Sequence, residues 1–595
     1  MKKQLPRPEY PRPQFERECW FNLNGQWGFS FDDDNIGIKD RWYKKSNFNQ
    51  AITVPFTYHS ELSGVNDKDV HDIVWYSKNF DLPPTFGGKR VILHFGAVDY
   101  TADIWVNGEH LAMHEGGHTP FSVEITNVVK EKDNTIIVRA EDFCTDLELP
   151  RGKQYWKKSP DTINHNIFYT RTTGIWQTVW LEGVAETYLK KVWITTDIDK
   201  KKVCVEYEVD GSCKGVRMNV EIKLGDKVLV DDSLNMLNNR GKREFWLDQE
   251  ITLDWNHQET WVWTPETPIL FDIRFRLIRN GAELDEVYSY FGMRKVSVVD
   301  GVFMLNNRPY YQKMLLDQGY WEDSLLTAPS DEAFVKDIEM GKRMGFNGVR
   351  KHQKVEDPRF LYWADKMGFL VWGEMPSAYT YSRKYVKRMT TEWIEAIERD
   401  YNHPCIVVWT PLNESWGVDC IMNNSDEQAH STSMYWLTKS IDQTRLVISN
   451  DGWDHTKSDL LTIHDYEWKK DILKERYCSI QNILKSRHSG RGMYAQGWSY
   501  QGEPVVVSEM GGISFEKGSW KGWGYSSAES EEDFILRYYH IVSAILESPK
   551  VQGFVYTQIA DVEQEINGLM TFDRIPKADP DIIRLINEGK WKPEI

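Results

Sequence analysis

Apolar and polar positions change rhythm along the chain and divide it into three stretches. From Trp20 to about Gly183 the runs are short and largely alternating or β-branched, as in IVWYSKNFDL, KRVILHFGAV and NTIIVRAED, and Gly, Pro, Asn and Asp interrupt them. Successive strand side chains point to opposite faces, so these runs predict strands; their close spacing without helices predicts a β-sandwich or jelly roll over residues 1–184. A second strand-rich stretch, 185–299, holds VCVEYEVDG, RMNVEIKLG, REFWLDQEI and FDIRFRLIRNG. Its length suits one small immunoglobulin-like β-sandwich.

In the third stretch, 300–595, apolar runs alternate with segments of helical period. Ser330 is placed to cap a helix with Asp331 and Glu332 in its first turn and Phe334, Val335, Ile338 and Met344 on one face. Trp393, Ile394, Ile397 and Tyr401 mark another helix, starting near Thr390. Between such segments lie FNGVRK, FLVWGE, IVVWTP, RLVISN, LLTIHD, PVVVSE and GFVYTQ, with PYYQKMLL ahead of the first helix. Continuous apolar runs are buried on both faces, the mark of a parallel sheet, and eight of them suffice to close a (β/α)8 TIM barrel.

A barrel of this kind carries its chemistry at the carboxyl ends of its strands. The second run ends in Arg350, Lys351 and His352, the third in Glu374, and the fourth in Asn413 and Glu414. The fifth ends in Asn450 and Asp451, the sixth in His464 and Tyr466, the seventh in Glu509, and the eighth in Tyr556 and Gln558. Such a surface suits a polyol. Glu414 and Glu509 follow runs expected to be wholly buried, and strands four and seven face each other across a barrel mouth. Glycosidic cleavage needs one carboxylic acid at the leaving oxygen and one carboxylate beneath the anomeric carbon. Retention requires a separation of about 5–5.5 Å and inversion about 6.5–9.5 Å. At that range mutual repulsion is expected to keep one of the two protonated.

Composition narrows the partners. The 595 residues carry a formal net charge of −17, with 41% hydrophobic and 27% charged residues. Nucleic acid and anionic membrane would be repelled over most of the surface. No run reaches the roughly 18 apolar residues of a membrane span, and the opening MKKQLPRPEYPRPQFERE has no apolar stretch behind its basic residues, so a soluble, cytoplasmic protein is expected. Seven scattered cysteines without a CxxC pair suggest neither disulfides nor a zinc site. The expected partner is a small glycoside or oligosaccharide, and a homo-oligomer is compatible with this surface. The 26 Trp residues offer faces for sugars, although most such residues serve cores.

The segment VVWTPLNESWG from Val407 resembles the acid/base signature of glycoside hydrolase family 2, which includes β-galactosidases, β-glucuronidases and β-mannosidases. VWYSKNF near Val74, DIWVNGEHLAMHEGGHTPF from Asp103, TGIWQTVWLEGV from Thr173 and FGMRKVSVVDGVFMLNNRPYY from Phe291 resemble further family segments in the same order. The resemblance implies a jelly roll, an immunoglobulin-like domain and a catalytic barrel, and exo action with retention. It implies Glu414 as acid/base, Asn413 as the amide on the sugar 2-hydroxyl, Glu509 as nucleophile, Tyr466 as its orienting phenol and Arg350 as its cation. No cofactor is implied; a structural magnesium or sodium ion is compatible.

Several positions depart from the family pattern. RKHQK from Arg350 to Lys354 replaces a Thr-Ser-His-like run, with Gln353 in the usual histidine place. Lys351 and Lys354, beside His352, put positive charge near the expected pocket, as a sugar carboxylate would require. The Asn-x-Lys motif of β-glucuronidases is incomplete, since EINGLMTFDR has Asn567 without the lysine; Phe168 replaces a familiar aspartate and Tyr556 a strand-eight tryptophan. The expectation is a retaining exo-β-glycosidase leaning to an acidic glycone, β-galacturonide or β-glucuronide. The alternatives are a β-galactosidase and, in another class, a catalytically inactive carbohydrate-binding protein. A metal-dependent isomerase or aldolase barrel is disfavoured, because His352, Glu374, Asp451 and His464 form no recognisable metal motif.

Overall fold

A computed structural model describes residues 5–45, 47–156, 167–247 and 260–593. Residues 1–4 of the basic opening and the tail of REFWLDQEI from 248 onward lie outside the described residues.

Among the described residues, the alternating runs of the first stretch form two large antiparallel sheets, one of six strands and one of four, beside a two-stranded one. IVWYSKNF (Ile73–Phe80) and NTIIVRAE (Asn134–Glu141) pair at the centre of the larger sheet, and RVILHF (Arg90–Phe95) pairs with VWLEGV (Val179–Val184) in the smaller. Trp27, Phe29, Tyr76 and Val138 meet Leu93, Phe95 and Leu181 in one core. The second stretch builds sheets of three and four antiparallel strands around Val205, Tyr207, Val220, Phe275 and Val287.

The third stretch forms one sheet of eight parallel strands: β1 (Gln312–Asp317), β2 (Gly348–Lys351), β3 (Leu370–Glu374), β4 (Ile406–Thr410), β5 (Leu446–Val447), β6 (Leu461–Asp465), β7 (Val505–Gly511) and β8 (Val551–Thr557). Their order, β5-β4-β3-β2-β1-β8-β7-β6, curls the sheet into the TIM barrel. The ladder is open only between β5 and β6, and the link between them carries no helix. β5 is shorter than RLVISN suggests, because the chain turns at Ile448 to bring Asn450 and Asp451 beneath the end of β4. β4 and β7 are buried along their whole length, as continuous apolar runs should be.

Helices α1 (Asp331–Arg343), α2 (Pro358–Met367), α3 (Arg383–Asp400), α4 (Ser425–Ile441), α5 (Lys470–Tyr477), α6 (Ile480–Lys485), α7 (Glu531–Leu546) and α8 (Pro580–Asn587) surround the barrel. Ser330 stands at the start of α1 but makes no side-chain capping bond. α3 begins before Thr390, where Ser382 caps it by accepting from the Tyr385 amide. Loops of the first domain reach the barrel: the Gly152 amide donates to the Ser377 carbonyl at 2.9 Å, and the Thr170 amide to Glu563 at 3.1 Å.

Candidate active site

Glu414 lies four residues beyond the end of β4, in a turn that the sequence can hold only at some strain. Glu414 and Ser415 have φ values of 51° and 61°, left-handed positions that cost non-glycine residues about 1–2 kcal/mol each. The cost is met by fixed partners: the Glu414 amide donates to the Asp451 carbonyl at 2.9 Å, and the Ser415 amide to Asn450 Oδ1 at 2.9 Å. Glu509 lies within β7 and is almost wholly buried. Its Oε2 accepts from the Tyr466 hydroxyl at 2.5 Å, and its Oε1 from Arg350 Nη1 at 3.0 Å. Ligand-type atoms of Glu414, His464 and Glu509 lie within 4.8 Å of one another, so an oxygen of each carboxylate approaches the other at the short spacing of retaining chemistry.

Arg350, from β2, is fully buried and ties the strand ends together. It meets Glu374 at 2.8 Å and Asp451 at 2.6 Å, besides Glu509, and donates to Asn413 Oδ1 at 2.6 Å. With its oxygen occupied, Asn413 has a buried Nδ2 without a hydrogen-bond partner among the described residues, a donor available to a ligand hydroxyl. His352 faces the same cluster, with Nδ1 2.9 Å from Glu374 and Nε2 3.9 Å from Glu509. Burial, then the charges of Lys153 and Arg350, hold its pKa well below the usual histidine range.

His464 contacts both carboxylates, with Nδ1 2.7 Å from Glu414 and Nε2 2.7 Å from Asp451 and 3.5 Å from Glu509. Both ring nitrogens of His464 lie at hydrogen-bond distance from carboxylate oxygens. Asp365, His403 and Cys405 also approach within 4.8 Å, but they are locked by internal bonds, His403 to Asp365 at 2.6 Å and the Cys405 amide to Asp365 at 2.8 Å.

Three sequence-derived binding assignments need correction. Lys351 points out of the barrel toward α2, where its ammonium pairs with Asp317 and with Glu356 at 2.8 Å and lies 3.6 Å from the centre of the Phe360 ring. Side chains alternate along a strand, so if Arg350 faces inward, Lys351 cannot. Lys354 is spent on the Gly319 and Leu326 carbonyls at 2.8 and 2.9 Å and on Glu356 at 3.0 Å. Their charge is neutralised inside the protein and supports no acidic sugar. Tyr556 likewise faces the helix layer, edge-on to Tyr538 of α7 with ring centres 5.1 Å apart. Its neighbour Thr557 faces the site, with Oγ1 3.4 Å from the Tyr466 hydroxyl.

Several residues at the site were not legible in the sequence. Tyr525 stacks on Tyr466 with ring centres 3.4 Å apart. Trp156 and Phe168 of the first domain cluster with Tyr379 and with Trp416, two residues after Glu414, at ring-centre distances of 4.4–5.8 Å. Lys153, also of the first domain, has its Nζ 3.9 Å from Glu565. Tyr525, Trp156 and Lys153 carry no local pattern, because each arrives on a loop from a distant stretch; Phe168 is marked only as the place of a family aspartate, and Trp416 lies in the Glu414 segment itself.

A TIM barrel carrying paired carboxylates at the ends of two facing strands, with a buried arginine and a phenol on one of them, defines a glycoside hydrolase of the retaining class. Comparison with known proteins agrees. The sugar binding domain of glycosyl hydrolases family 2 matches residues 21–181, a further family 2 domain 187–294, and the family 2 TIM barrel domain 296–586. The chain belongs to glycosyl hydrolase family 2. Over 629 residues it is 23% identical to a β-glucuronidase of Canis lupus familiaris, covering 98% of this chain and 92% of that one. Over 420 residues it is 27% identical to a β-galactosidase of Thermoanaerobacter pseudethanolicus, covering 69% of this chain and 52% of that one. A solved β-glucuronidase of an uncultured Clostridium species superposes with a TM-score of 0.78 at 20% identity, over 96% of this chain and 99% of that one.

Proposed function

We propose that this protein is a retaining exo-β-glycosidase for β-glucuronides, with Glu414 as acid/base and Glu509 as nucleophile. The observation that carries the reaction is the close approach of these two carboxylates at the ends of β4 and β7. Tyr466 and Arg350 aim Glu509 through hydrogen bonds to its two oxygens, and Asn413 offers its amide to the sugar 2-hydroxyl. Glu509 attacks the anomeric carbon while Glu414 protonates the departing oxygen; water then releases the sugar with Glu414 as base.

The acidic glycone rests on Lys153 together with the β-glucuronidases among the relatives. Asn567 is tied to Glu565 at 3.0 Å, and Glu565 lies 3.9 Å from the Lys153 ammonium. Lys153 of the first domain is the candidate for the cation that the run after Asn567 lacks. A sugar carboxylate bound there gains a charge-assisted contact worth about 1.5–3 kcal/mol. Lys153→Met should therefore lower kcat/KM for 4-nitrophenyl β-glucuronide by about 10–150-fold and for the β-galactoside less than about threefold. Equal losses on both substrates, or a wild-type preference for the neutral galactoside, would refute the acidic glycone.

A further inference from the structure

We infer that Glu414 and His464 hold a single proton between them and that this proton is the one delivered to the glycosidic oxygen, which makes His464 a positioning residue for the acid/base. The inference rests on the reading of Glu414 as acid/base given above. His464 lies in β6, and each of its ring nitrogens is 2.7 Å from a carboxylate oxygen, Nδ1 from Glu414 and Nε2 from Asp451. A carboxylate can only accept, so two ionised carboxylates require an N–H on both nitrogens, an imidazolium. Moving the Nδ1 proton to Glu414 leaves a neutral imidazole that accepts from a carboxylic acid. The same hydrogen bond is satisfied with the proton at either end. That is what an acid/base needs, since it gives a proton in one half of the reaction and takes one in the other.

The surroundings favour this charge state. Asp451 and Glu509 face His464 as further anions, Arg350 Nη1 lies 3.4 Å from its Nε2, Tyr466 is a neutral phenol beyond, and the Trp453 ring is 5.4 Å away. Burial keeps the nearby His352, His455 and His488 below the usual histidine range. Burial alone would also lower the His464 pKa, but the charges of Glu509 and Asp451 and the hydrogen bonds to Asp451 and Glu414 push it up to about 10.

In glycosylation the proton passes from Nδ1 to Glu414 and on to the glycosidic oxygen. The C1–O bond breaks with its electron pair going to that oxygen, and a Glu509 oxygen bonds to C1. In deglycosylation a water oxygen displaces Glu509 from C1, the water's proton goes to Glu414, and the pair again holds one proton.

The test is a leaving-group series of aryl β-glycosides with kcat/KM profiles from acid to alkaline pH, on wild type, His464→Asn and Glu414→Ala. His464→Asn should lose about 10²-fold on poor leaving groups and less than about threefold on dinitrophenol, the size expected of general acid catalysis. Its alkaline limb should move to lower pH by about one unit or more, because Glu414 alone must then hold the proton. A uniform loss across leaving groups with an unmoved alkaline limb would overturn the shared proton. If Glu414→Ala shows no leaving-group dependence, the acid/base reading itself falls; if it does and His464→Asn does not, only the shared proton falls. Should His464→Asn fail to fold, 15N spectra of histidine-labelled protein decide: a doubly protonated imidazole at pH 8 that is lost in Glu414→Gln supports the inference, and its absence from wild type refutes it.

Discussion

Arg350 and Lys351 are adjacent cations with opposite roles, and the difference sets two expectations. Tyr466 and Arg350 hydrogen-bond Glu509, and removing the phenol deletes one charge-assisted bond of about 1.5–3 kcal/mol. Tyr466→Phe should lower kcat by about 10–150-fold with an unchanged circular-dichroism spectrum. Lys351, in contrast, neutralises Asp317 and Glu356 in the barrel wall. Lys351→Met leaves those buried carboxylates short of a cation and should cost about 3–5 kcal/mol in denaturant unfolding. Any activity that remains should fall equally on acidic and neutral substrates. Both residue types were readable at the end of one run; which of them faces the sugar was not.

At the scale of the element, the end of β8 shows how a strand divides its residues between core and site. Tyr556 packs against Tyr538 of α7, and a side chain added at Gly511 of β7 would lie 2.2 Å from its ring. Its role is to fix β7 and β8 against each other beneath Glu509. Tyr556→Ala should destabilise the protein by about 3–5 kcal/mol through the cavity it opens, while Tyr556→Phe should change kcat/KM less than about twofold. A large, substrate-specific loss in Tyr556→Phe would return this residue to the binding surface. Strand positions were legible because both-face burial leaves continuous apolar runs. The same continuity hides the phase of the strand, since no polar face marks which side chains turn inward.

Across the whole molecule, the first domain completes the site and is docked partly by titratable groups. Glu563, on the loop after β8, accepts from the Thr170 amide and is wholly enclosed, and burial raises its pKa to about 7. A raised folded-state pKa gives stability that is fully present below the unfolded value near 4.5 and is lost as pH rises through 7. The shift corresponds to roughly 3 kcal/mol. Glu563→Gln should therefore flatten the decline of thermal stability between pH 4.5 and 8, measured by calorimetry; an unchanged slope would remove Glu563 from the interface balance.

The sequence by itself determined the three-part order, the eight barrel strands, and the places of Glu414, Glu509, Asn413, Arg350 and Tyr466 at their ends. These follow from period and burial, which are local properties of a chain. Only the tertiary structure decided that Arg350 faces inward and Lys351 outward, that Thr557 rather than Tyr556 meets the site, and that His464 contacts both carboxylates. It alone brought Lys153 and Trp156 across from the first domain. Those outcomes depend on strand phase and on contacts between residues hundreds of positions apart, and neither leaves a trace in the periodicity of a single run.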